Sequence, residues 1–162
     1  MLNLPPNASG EPLKWFARLM QNQPFFAAGV YTEDEQSVMY AMAYQLFVDG
    51  RLDDAAAVFQ ALCGQRNPKP KYFHAMAACE QMRGNYQIAG ISYGLAFGAD
   101  QNDLKALFHM GECLLACNKL HRAESVLNDF MKRSAGKAEM YALRERASRL
   151  LEERIAPTTT GV

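Results

Sequence analysis

No apolar run in these 162 residues approaches the roughly 20 that a membrane-spanning helix needs. An excess of charge of either sign is also missing. Lys+Arg and Asp+Glu stand at 17 each, so the formal net charge is zero. That argues against a general nucleic-acid binder, which shows a basic face. It also removes a barrier to self-association. Met1 to Gly10 holds neither a basic segment nor an apolar core, so no secretory signal is read there. The expected location is the cytoplasm, where the four cysteines stay as reduced thiols. There is no CxxC pair, no phosphate loop, no nucleophile elbow and no paired carboxylates spaced for a pocket. His109, Cys113 and Cys117 are four apart, but zinc needs a fourth ligand. Cys79 and Cys113 share a repeat position, as packing residues do. No catalytic residue, metal site or cofactor is expected.

What the chain does have is an echo with a period of 34 residues. Gly50, Gly84 and Asn118 keep that spacing, as do Ala55, Ala89 and Ala123, then Phe59, Tyr93 and Leu127, then Ala43, Ala77 and Gly111. Such a period marks a tetratricopeptide array, in which each unit is a helix–turn–helix. The predicted fold is all-α: three such repeats forming a concave superhelix, with an N-terminal helix and a C-terminal capping helix.

Residues 1–11 read as a flexible leader. Residues 12–31 hold a short amphipathic helix and an irregular link. Its Trp15, Phe16, Leu19 and Met20 are dimerisation candidates, because a helix this short must pack on the array or on a partner subunit. The repeats span 32–137, at about 36–69, 70–103 and 104–137. Thr32-Glu33-Asp34-Glu35 fits a capping box, so the first repeat helix is predicted from Glu33 to about Asp49. Its partner runs from Asp53 to Cys63. The second repeat is predicted as 70–83 and 87–97, stopping at Gly98. The third opens on Asp103 as a cap, turns at Asn118-Lys119 and continues from Leu120 to Arg133. A last helix, about 138–154, has the polar outer face that caps a solenoid. Residues 155–162 read as a disordered tail.

Two stripes run along the first helix of each repeat. Met39, Met42, Ala43 and Leu46, with their equivalents Phe73, Met76 and Ala77 and then Leu107, Met110, Gly111 and Leu114, are expected to pack inside the unit. The second stripe sets Tyr40, Tyr44 and Phe47 at i, i+4 and i+7 on one face. His74, Ala78 and Gln81, followed by Phe108, Glu112 and Leu115, take the matching positions, with Met82 beside them. In a tetratricopeptide stack this face points into the groove. Either the chain or a second subunit covers the aromatics, or a peptide does, and the reading favours a peptide. Without the converging Lys, Arg and Asn of a carboxylate clamp, the expected ligand is an internal, apolar, extended segment.

The blocks Val58-Phe59-Gln60-Ala61-Leu62-Cys63, Phe108-His109-Met110-Gly111-Glu112-Cys113-Leu114-Leu115 and Ala123-Glu124-Ser125-Val126-Leu127 resemble the class II chaperones of bacterial type III secretion. So does the stripe Tyr40, Tyr44, Phe47. The resemblance covers about residues 33–150. It implies an ATP-independent cytoplasmic chaperone with two hydrophobic, pore-forming translocator proteins as clients. The clients are held by a short extended segment near the N-terminus, often of the form P-x-L-x-x-P. It also implies a homodimer and, for some members, a transcription activator as a further partner. Nucleic acid and stable membrane insertion are not implied. An adaptor that assembles partners without protecting them is the alternative reading. Co-expression with the translocators separates the two, since only a chaperone keeps them soluble.

Overall fold

The computed structural model describes residues 30–154. They form seven α-helices and no strand, in two compact units divided after Pro68. The leader, the predicted N-terminal helix with its four dimerisation candidates, and the C-terminal tail lie outside the described residues.

The first unit is one helix pair, α1 (Glu33–Val48) and α2 (Leu52–Cys63), packed on each other. The capping box forms as the sequence predicts. Thr32 Oγ1 accepts from the Glu35 amide at 3.3 Å, and Glu35 Oε2 accepts from the Thr32 amide at 2.7 Å. Two otherwise orphaned N-terminal donors are thereby satisfied. Gln65, just past α2, accepts from the Tyr31 amide at 3.0 Å and so ties the entry of α1 to the exit of α2. Met39, Ala43 and Leu46 of α1 and Ala55, Val58, Phe59 and Leu62 of α2 are buried.

The second unit comprises α3 (Pro70–Met82), α4 (Tyr86–Ala99), α5 (Leu104–Ala116), α6 (Leu120–Arg133), a 3-10 turn at Ala138–Met140 and α7 (Tyr141–Arg154). Consecutive helices pack on each other, and α7 also touches α5. The small residues that set the period are where helices meet: Ala77, Ala89 and Ala123 are fully buried, and Gly111 is buried. Gly90 and Gly94 of α4 add a close approach that the period does not reveal. A Cβ on either would stand 3.2 Å from the Cys113 Cβ or 3.3 Å from the Met110 sulfur.

The same turn closes all three pairs. The amides of Arg51, Asn85 and Lys119 donate to the carbonyls of Leu46, Glu80 and Leu114 at 2.9, 2.8 and 2.8 Å. Those of Gly50, Gly84 and Asn118 donate to Phe47, Gln81 and Leu115. This is the Schellman pattern, and it requires a left-handed residue after the helix. Gly50, Gly84 and Asn118 sit at φ 76, 80 and 55, and Asn is the side-chain-bearing residue that tolerates this region best. Opposite outcomes are therefore expected for one kind of substitution. Gly84→Ala meets no neighbour but forces a left-handed alanine, costing about 1–2 kcal/mol. Gly98→Ala, helical and equally open, should gain about 0.4–1 kcal/mol. Urea titrations of the two variants check the signs.

Helix ends differ from the sequence expectation by a residue or two. Gly98 does not stop α4, because the Asp100 amide still reaches the Ala96 carbonyl at 2.9 Å. The last helix begins as the 3-10 turn and becomes α-helical only at Tyr141. The break before it is anchored. Ser134, fully buried, donates to the Phe130 carbonyl at 2.6 Å, and Arg144 of α7 donates to the Met131 carbonyl and, at 3.0 Å, to Ser134 Oγ.

Candidate functional site

On α1 the aromatic stripe divides into a seated and an open part. Tyr40 leans on Phe59 of α2, with ring centroids 5.8 Å apart. Burial, then the neighbouring Tyr44, lifts the Tyr40 phenol above its ordinary value of 10.0. Tyr44 is 55% exposed and lies 6.5 Å from the half-buried Phe47 ring. Val48, one turn on, is also open. An aromatic ring supported from below and bare above suits an apolar side chain of a ligand, with the hydroxyl free to reach a carbonyl.

The second unit treats the equivalent positions differently. On α3, His74, Ala78 and Gln81 are half-buried and Met82 is exposed. His74 Nδ1 donates to Asp103 Oδ2 at 2.7 Å, while Asp103 Oδ1 caps α5 by accepting from the Ala106 amide at 3.0 Å. A carboxylate oxygen accepts, so this contact assigns the hydrogen of the pair to His74 Nδ1. Gln81 accepts from the Tyr93 hydroxyl at 2.9 Å. Tyr93 in turn stacks on His109 and meets His74 in a T-shaped contact, each at 5.3 Å.

On α5 the expectation fails for three residues. Phe108 is 0% exposed and Leu115 is buried, both in a core with Phe130 and Ala147. Glu112 is held by His109 Nδ1 at 2.8 Å and Arg146 Nη2 at 2.5 Å. The cause is α7, which lies against α5 and occupies the face that α1 and α3 leave open. Phe108, Glu112 and Leu115 are therefore internal contacts of the cap, not candidate ligand contacts. Periodicity missed Asp103 as a partner of His74, and it missed Tyr93, His109 and Arg146, because their pairings cross between helices without keeping the 34-residue step. Arg146 was legible only as part of a polar outer face.

Two of the thiols, Cys63 and Cys113, are held in the protonated form. Burial pushes Cys63 up to about 12, and burial with Glu112 and Cys117 nearby does the same for Cys113. Among the described residues no three His, Cys, Asp or Glu side chains are grouped to hold a metal ion, and no helix is long and apolar enough to cross a membrane.

No protein-family model matches the sequence. Individual proteins do. The low calcium response locus protein H of Yersinia pestis is 34% identical over 121 residues, which are 75% of this chain and 72% of that protein. The chain belongs to the class II type III secretion chaperones. The chaperone protein SicA of Salmonella typhimurium is likewise 34% identical, over 91 residues covering 56% of this chain and 55% of that one. Among solved structures, the Yersinia enterocolitica type III secretion chaperone SycD in complex with a peptide of the translocator YopD superposes with a TM-score of 0.73. It is 32% identical, covering 78% of this chain and 97% of that one. PcrH in complex with the chaperone binding region of PopB gives 0.67 at 33% identity, over 75% and 98%. The family fold of helical hairpins is thus the fold of this chain.

Proposed function

We propose that this chaperone holds an extended N-terminal segment of its hydrophobic translocators against the open aromatic face of α1, in the bacterial cytoplasm, before export. The half-open Tyr44 carries the reading. It is a ring offered to a ligand on a chain whose relatives were crystallised with translocator segments. Apolar client residues seat against Tyr40, Tyr44 and Phe47, and the partly open His74, Ala78, Gln81 and Met82 serve the same purpose on their own unit. Burying one such anchor contributes roughly 1.5–3 kcal/mol before ordering costs. The action is holding: a bound apolar segment neither aggregates nor inserts early, and no nucleotide or catalytic step is needed.

Tyr44→Ala should weaken binding of a translocator N-terminal peptide about 10- to 100-fold, the equivalent of losing one anchor. Because Tyr44 is exposed, its removal should change folding stability by no more than about 0.5 kcal/mol. Titration calorimetry beside a urea melt measures both. Unchanged affinity for the Tyr40→Ala/Tyr44→Ala pair, with helicity intact, would falsify the assignment.

A further inference from the structure

Two of the chain's three histidines meet on the second unit. The rings of His74 on α3 and His109 on α5 have centroids 6.5 Å apart and stand at 84° to each other. Each is held through Nδ1 by a carboxylate, His74 by Asp103 and His109 by Glu112. Both carboxylates accept at their other oxygen as well, Asp103 from the Ala106 amide and Glu112 from Arg146. The ring hydrogen therefore sits on Nδ1 in both pairs, and a neutral ring that donates at Nδ1 accepts at Nε2. Among the described residues neither Nε2 has a hydrogen-bond partner, and no buried side-chain nitrogen or oxygen lacks one. Both Nε2 atoms thus reach solvent, on side chains that are 29% and 27% exposed.

The repeat does not demand this arrangement. Position 109 corresponds to Ala41 and Ala75, and position 74 to Tyr40 and Phe108. One turn beyond His74, the small Ala78 stands where the first repeat has Tyr44. Where α1 offers broad rings to a ligand's side chains, α3 offers an acceptor beside a methyl group, with room for a main chain to come close. The spacing favours an extended one. Alternate residues of an extended chain lie about 6.4–6.8 Å apart and turn their N–H groups to the same edge. The interior of a helix has no N–H to spare. Tyr93 touches both rings and is tied by its hydroxyl to Gln81 at 2.9 Å, which fixes the separation.

We infer that His74 and His109 read the client's main chain, each Nε2 accepting from one of two alternate N–H groups of the extended segment. The inference rests on the proposed binding of that segment and adds a recognition independent of its side chains. It suits clients of unlike sequence, since every residue but proline carries the N–H. The test uses the full-length chain and a translocator N-terminal peptide with its backbone amides N-methylated one at a time. Calorimetry should find two positions, two residues apart, where methylation weakens binding about 5- to 10-fold. His74→Leu should abolish one of these penalties and His109→Leu the other. Asp103→Asn acts on His74 without removing it. Its carboxamide oxygen still caps α5, while its NH2 group faces Nδ1 and moves the ring hydrogen to Nε2. It should weaken the unmodified peptide as His74→Leu does, and the nitrogen-15 shifts of His74 should report the exchanged tautomer. This variant also serves if a leucine variant fails to fold. A flat methylation scan, penalties that persist in the histidine variants, or an exchanged tautomer with unchanged affinity overturns the inference, even where Tyr44→Ala weakens binding as proposed. Paired penalties that persist in a Tyr44→Ala protein of unchanged affinity would uphold the histidines and sink the aromatic anchor alone.

Discussion

Phe108→Ala should lower stability by about 3–5 kcal/mol, the usual result of emptying a phenylalanine site in a packed core. In a chain of this size that is a fall of roughly 6–20 °C in Tm. The ring has no solvent contact. It lies 5.3 Å from Phe130, meets His109 edge-on at 5.2 Å, and carries the Arg146 guanidinium at 5.8 Å. Three helix-borne groups, one each from α5, α6 and α7, therefore lose a neighbour together. The effect on client binding should follow the folded fraction and no more. Phe108→Leu, which keeps most of the volume, should recover the greater part of the loss. A Phe108→Ala protein that melts like the wild type but binds its client poorly would return this residue to the ligand face. Thermal melts with binding measured well below the transition distinguish the two.

Gly111→Ala is the second large effect, out of proportion to one added methyl. A Cβ there would stand 2.6 Å from Leu127 Cδ2 and 2.8 Å from its Cγ. Neither atom has room to retreat, because Leu127 is fully buried among Leu104, Leu107 and Phe130. Overpacking of this kind costs typically about 1–3 kcal/mol. Helix propensity, which favours alanine by about 1 kcal/mol, acts in the opposite direction and sets the lower end. The cause is testable by coupling. Leu127→Ala alone should be destabilising, but in its presence Gly111→Ala should become neutral or favourable. The non-additivity of the pair is then on the order of 1–3 kcal/mol. Simple additivity in a urea double-mutant cycle rules out the contact as the source.

The helical hairpins were legible because their signals are local and repeated. Small residues every 34 positions mark helix contacts, and Gly50, Gly84 and Asn118 mark left-handed turns. The capping box at Thr32 was legible for the same reason. The face of α5 was not. Phe108 stands two periods from Tyr40, and a repeat assigns the two residues one environment. The array ends at α7, however, and the last unit has its open face covered by that ending. A sequence period describes the interior of an array and is silent about its edge. His74 and Asp103 illustrate the complementary limit, since a bond across 29 residues leaves no mark in either helix's pattern.

The thrice-repeated turn has a consequence for how quickly the chain is ready. Each Schellman closure is decided within six residues, and consecutive helices within each unit pack on each other. Folds dominated by such near-neighbour contacts have low contact order and fold in microseconds to milliseconds. Synthesis runs at about 5–20 residues per second, so each hairpin can close while the next is still being made.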